Sequence, residues 1–136
     1  LENVLVEAGG DLLASGRKST GDAWRIGVQS PRPENSGYLA RINIENQAIA
    51  TSGDYMQAYS SDYAHHHIID PRTGFSSPEL AGATVIAPNA ALADALATAA
   101  MVLGSNAKDL IARYEGSEAL FVTKAQEVIT TPGFSL

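Results

Sequence analysis

The stretch 89-NAALADALATAAMVLG-104 decides how the rest of the chain is read. Leu92, Leu96, Ala99, Ala100 and Leu103 recur at helical spacing. Asn89 suits an N-cap and Gly104 the residue past the last turn, so the pattern predicts a helix over Ala90–Leu103. Its alanines permit close packing on a sheet. Before it, the periodicity is that of strands. Leu1–Glu7, Leu12–Ala14, Trp24–Val28, Tyr38–Ile44, Gln47–Ala50 and Gly82–Ala87 all read as extended, with a turn at Gly9-Gly10-Asp11. Arg17–Asp22 reads as a hairpin or loop, and Pro31–Gly37 as a surface loop opened by Pro31 and Pro33. Tyr55 and Tyr59, four apart, suit one face of a short helix. His65–Ile69 reads as extended up to Pro71, where Asp70-Pro71-Arg72-Thr73-Gly74 forms a β-turn. After the helix come a second one over Ala107–Glu115, closed by Gly116, and strands at Ala119–Thr123 and Val128–Thr131. Strands, two helices and a closing hairpin make an α+β fold, an antiparallel sheet with packed helices.

The 136 residues (14.2 kDa) suffice for one domain with a real core. Nine basic against fifteen acidic residues give a net charge of −6, which argues against a broad nucleic-acid backbone reader. A local phosphate pocket built from backbone N–H groups stays open. With no cysteine, disulfides, thiolate metal sites and cysteine nucleophiles are excluded. No apolar run reaches 18 residues, so no membrane span is expected. The chain opens Leu1-Glu2-Asn3-Val4, without Met or a basic leader, which reads as a processed or trimmed start with no signal peptide in these residues.

Three features could carry chemistry. Asp94 and Thr98 lie four apart and project from one helix face. Together they are hard oxygen donors suited to Mg²⁺ or Ca²⁺ if carbonyls or phosphates complete the shell. The bland alternative is a solvated Asp94 and a Thr98 that bonds back to the backbone. In His65-His66-His67, residues 65 and 67 share one side of an extended chain. They could hold a transition metal, or Asp70 could orient one imidazole as a base, or all three could be ordinary surface residues. The turns Gly9-Gly10-Asp11, Thr51-Ser52-Gly53-Asp54 and Arg72-Thr73-Gly74 offer N–H nests and hydroxyls to phosphate. None has P-loop or dinucleotide-fingerprint spacing.

Several runs occur together and in order: 6-VEAGGD-11, 24-WRIGVQSP-31, 48-AIATSGDY-55, 67-HIIDPRTG-74, 84-TVIA-87 and 93-ADALATA-99. This set resembles the C-terminal half of the ApbE family, the Mg²⁺-dependent FAD:protein FMN transferases, and extends over nearly the whole chain. The resemblance implies an α+β architecture related to the T-fold. It implies Mg²⁺ at Asp94 and Thr98, with His67 as the base near the incoming hydroxyl. It also implies a flavin site in which Gly9, Gly10, Asp11, Thr51, Ser52, Gly53, Asp54, Asp70 and Thr73 bind the cofactor.

The implied reaction moves FMN from FAD to a threonine hydroxyl of a target protein and releases AMP. Implied targets include subunits of ion-translocating redox pumps, modified on the extracytoplasmic, periplasmic side of the inner membrane. Residues 1–136 would then be the C-terminal portion of a longer transferase domain whose N-terminal half is absent. A missing half, a partner chain or a homo-oligomer would complete the site. The alternatives are an FAD pyrophosphatase yielding FMN and AMP, and a non-catalytic flavin-binding or interaction module.

Overall fold

A computed structural model describes residues 2–32, 34 and 37–135. Leu1 and Pro33, read above as a strand start and a chain break, lie outside the described residues. The strands are β1 (Val4–Ala8), β2 (Asp11–Ser15), β3 (Trp24–Gln29), β4 (Tyr38–Ile44), β5 (Gln47–Gly53), β6 (Ile69–Asp70), β7 (Phe75–Ser76), β8 (Leu80–Ala87), β9 (Glu118–Thr123) and β10 (Val128–Thr130). The helices are α1 (Ala90–Leu103) and α2 (Ala107–Ile111), joined by a 3₁₀ turn over Gly104–Asn106.

Six strands form one antiparallel sheet in the order β1-β2-β5-β8-β9-β10. All eight residues of β8 are buried, because β5 and β9 flank it and both of its faces are covered. The helices cover one face. Ala93, Leu96, Ala97, Ala100 and Met101 of α1 pack in one cluster with Ala48, Ala50, Ala83, Ala87 and Phe121 of the sheet. Alanine meets alanine across this contact, so the helix can lie close to the strands. The β3–β4 ribbon covers the other face, where Val28, Ala40, Ile42 and Ile44 pack with Ala14, Ile49, Ile86 and Leu120. The result is the expected α+β fold, an antiparallel sheet with packed helices.

The caps act as their residue types predict. Asn89 Oδ1 accepts from Leu92 N at 2.9 Å, and Gly104 leaves the helix at φ 67°. Gly9 (φ 66°) and Gly10 (φ 102°) form a two-residue hairpin loop between the paired Ala8 and Asp11. Asp70 O accepts from both Thr73 N and Gly74 N, so the turn starts at Asp70.

Six expectations change. Thr51, Ser52 and Gly53, read as part of a turn, instead continue β5 to Gly53, because they pair with Thr84, Ala83 and Gly82 of β8. The second helix stops at Ile111 rather than Glu115, and turns carry the chain to Gly116 at φ 73°. Tyr55 and Tyr59 lie in turns and bends, not in a helix, because the chain folds back on itself through an Ala58–His66 bridge. His65–Ile69 pairs as a strand only from Ile69. Pro31 and Arg32 are buried rather than on a surface loop, because Arg32 turns inward to Asp54. Finally, the helical stretch Ala90–Ile111, interrupted at the 3₁₀ turn, is long and apolar enough, by length and composition, to cross a membrane. The expectation of no such stretch is therefore corrected; its inner face is committed to the sheet.

Candidate functional site

Two elements bring oxygen donors to Asp94 and Thr98. Both residues are exposed on α1, one turn apart. Successive residues of a strand point to opposite faces, so Ser52 follows Ala48 and Ala50 onto the helix side of β5. Its hydroxyl lies 3.0 Å from Thr98 Oγ1. Asp11, the first residue of β2, approaches from the hairpin turn. Its carboxyl is held above the ordinary carboxylate range, first by burial and then by the charge of Asp94. Two carboxylates that repel one another beside two hydroxyls are a suitable seat for a hard cation. Among the described residues, no group of three or more His, Cys, Asp or Glu converges to hold a metal alone. A hard cation held here would have to keep waters or take substrate phosphates as further ligands. Asp94 lies beyond the first turn of α1, so the helix dipole contributes little to it.

Across β5, Thr51 faces the opposite side and shares a 2.8 Å hydrogen bond with Thr84 of β8. It lines a cleft of about 340 Å³ with Glu7, Gly9, Gly10, Ile26, Gln29 and Met56, among others. Gly10 N donates to Glu7 Oε1 at 2.7 Å, which ties the glycine turn to the rim. Tyr55 also lines the cleft, and burial pushes its hydroxyl up. Gly53 lies beneath it, and a Cβ there would run into the Tyr55 ring.

The three histidines do different things. His66 is fully buried, and its Nε2 donates to Ser77 O at 3.0 Å. His66 N donates to Ser76 Oγ, which donates back to His66 O. Nδ1 of His66 has no hydrogen-bond partner among the described residues. His65 and His67 are exposed, and His67 N donates to Gln57 O at 3.2 Å. Asp70 does not orient an imidazole, as the sequence suggested. Both of its carboxylate oxygens accept from Arg72, at 2.8–3.1 Å, and this holds Asp70 below the ordinary carboxylate range. Thr73 Oγ1 accepts from Phe75 N at 3.2 Å, so Asp70 and Thr73 both brace the turn beyond His67.

Asp54 differs most from its sequence reading. It is fully buried, and Arg32 grips it through two hydrogen bonds of 2.7 and 2.8 Å, with Lys124 Nζ at 3.4 Å from Oδ2. Neither oxygen faces the cleft, because both are committed to these cations. Arg32 and Lys124, together with Tyr63 and Glu7, were missed in the sequence. No spacing links them, and only the burial of Asp54 calls for a counter-charge.

The ApbE family profile matches residues 1–121. The FAD:protein FMN transferase of Salmonella typhimurium is 36% identical over 133 residues, covering 96% of this chain and 38% of that protein. That of Treponema pallidum is 32% identical over 145 residues, covering 98% and 40%. The crystal structure of the ApbE protein from Thermotoga maritima superposes with a TM-score of 0.83 at 34% identity, over 95% of this chain and 42% of that one. The flavin transferase ApbE from Vibrio cholerae gives 0.80 at 30% identity, over 98% and 43%. The chain thus spans about two fifths of the length of these relatives.

Proposed function

The chain belongs to the ApbE family, and from that footing we propose that it carries the metal-binding and proton-accepting part of an FAD:protein FMN transferase. The observation that supports this most is the convergence of Asp94, Thr98, Ser52 and Asp11 from α1, β5 and β2. Asp94 and Thr98 are the proposed ligands of Mg²⁺, with Ser52 and Asp11 beside them. When bound, the ion would neutralise pyrophosphate charge and favour departure of AMP. The Gly9–Gly10 turn links the cleft to Asp11, so one extended dinucleotide can address both. In this reading Gly9, Gly10 and Thr51 meet the flavin nucleotide, while Gly53 and Asp54 support the cleft wall from behind.

His67 would accept the proton of the acceptor hydroxyl. The hydroxyl oxygen, a threonine Oγ1 of the target protein, bonds to the FMN phosphorus. The bridging P–O bond breaks, and AMP leaves with its electron pair. Asp70 and Thr73 act one step away, by fixing the turn that follows His67. The targets would be exported redox-pump subunits, and the remaining three fifths of the relatives' length would complete the flavin site.

The test is FAD turnover by the intact protein with Mg²⁺ and an acceptor polypeptide. Asp94→Ala should abolish Mg²⁺-dependent turnover, and His67→Ala should cut turnover by about 10²–10⁴-fold, the usual range for a lost general base. Unchanged Mg²⁺-dependent turnover in Asp94→Ala would refute the metal assignment. AMP release that ignores the acceptor would reassign the protein as an FAD pyrophosphatase, with water as the nucleophile.

A further inference from the structure

Arg32, Asp54, Tyr63 and Lys124 come from four separate stretches of chain and meet at one point. We propose that the Arg32–Asp54–Lys124 cluster is a positioning clamp for the loop that carries His67, with Tyr63 as the part it grips. The proposal rests on the reading of His67 given above. Arg32 and Lys124 both face the buried carboxylate of Asp54, and Glu34 is a further negative neighbour of Arg32. Tyr63 contacts both cations. Its ring lies 4.2 Å from the guanidinium carbon of Arg32, and its carbonyl oxygen accepts from Lys124 Nζ at 2.5 Å.

Tyr63 itself sits at φ 59°, a left-handed conformation that a bulky side chain rarely adopts. Such a residue persists only where its surroundings hold it there. The hold is firm on both sides. Arg32 is buried, and Lys124 extends from the end of β9, where its own N–H donates to Glu79 O at 2.9 Å.

From Tyr63 the loop is wired back to His67. Tyr63 N donates to Ser60 O at 3.1 Å, Tyr59 N to His65 O at 2.7 Å and His67 N to Gln57 O at 3.2 Å, around the Ala58–His66 bridge. A shift at Tyr63 therefore travels along a narrow hydrogen-bonded hairpin to the imidazole four residues on. An apolar cluster could fill the same space. Only directional charges fix the height of the Tyr63 carbonyl, and so where the hairpin points.

The variants Lys124→Met and Tyr63→Leu leave the Arg32–Asp54 pair intact, and Lys124→Arg restores a donor. They would be made in the intact protein. Two quantities would be read: amide hydrogen exchange over residues 55–68, and the kcat and KM for FAD. Expected are at least about tenfold faster exchange at Tyr59 and His67 and a tenfold or larger fall in kcat. KM for FAD should change less than threefold, and Lys124→Arg should recover most of both. Unchanged exchange would overturn the proposal, and so would a loosened loop with wild-type kcat. Failure of the base assignment shows separately, as a His67→Ala variant that is fully active while its loop amides stay protected.

Discussion

Asp94 and Thr98 stand on a fourteen-residue helix whose inner face is sealed against the sheet, whereas His67 stands on a loop. The helix is held by burial of many small apolar contacts, each replaceable at modest cost. The loop is held by a few polar contacts between residues far apart in sequence. The first arrangement tolerates small losses and keeps its geometry. The second fixes direction sharply and fails abruptly when one member goes. In the proposed site, the two would supply a stable platform for an ion and a sharply aimed arm for a proton acceptor.

The largest way to break this contrast is Asp54→Ala. It strands two cations, and the loss of one partner from a buried pair costs about 3–5 kcal/mol. Urea unfolding should register that loss, and near-wild-type stability would mean that Arg32 and Lys124 find water instead. Next comes Ala97→Leu, which forces a larger side chain into the helix–sheet contact and should cost about 1–3 kcal/mol. It should also move Thr98 away from Ser52 and weaken Mg²⁺ binding, measurable by titration calorimetry. Asn89→Ala removes the cap of α1 and should cost about 1 kcal/mol by the same unfolding measurement, with no change in the His67 loop.

The smallest effect concerns pH. Arg72 holds the folded pKa of Asp70 below its unfolded value, so whatever stability the pair gives is present above the ordinary carboxyl pKa. It is lost only as pH falls through the depressed folded value. An NMR titration should find Asp70 ionising below the ordinary aspartate range, and Arg72→Ala should return it towards that range with little effect on global stability, since Arg72 is exposed.

The helix side was largely legible in the sequence. Asn89, Gly104 and the spacing of Leu96 and Ala100 gave the bounds of α1, and the i,i+4 rule put Asp94 and Thr98 on one face. The alternation in Tyr38–Ile44 likewise marked β4 to the residue. The centre of the buried stripe was displaced towards Ala93, Ala97 and Met101, with Leu96 buried among them and Leu92 and Leu103 at its edges, because a sheet lined with alanine lets the helix backbone lie close. The loop side was not legible. Nothing local in Arg32 or Lys124 says that both turn towards Asp54, and the Tyr55–Tyr59 spacing suggested a helix that the Ala58–His66 bridge replaces. Partners set by tertiary contact leave no periodic trace.

The two ends of that loop meet on the sheet. Gly53 of β5 pairs with Gly82 of β8, and Asp54 N donates to Ala81 O at 3.0 Å. Everything between them is an excursion from a junction that the flanking strands have already closed. For a flexible loop, doubling the length adds only about 0.6 kcal/mol of closure entropy. Length added between the junction and the Tyr63–His67 hairpin would therefore cost the sheet, and the proposed ion seat beside it, little. Such a junction would let the choice of acceptor vary while the proposed chemistry stays in place.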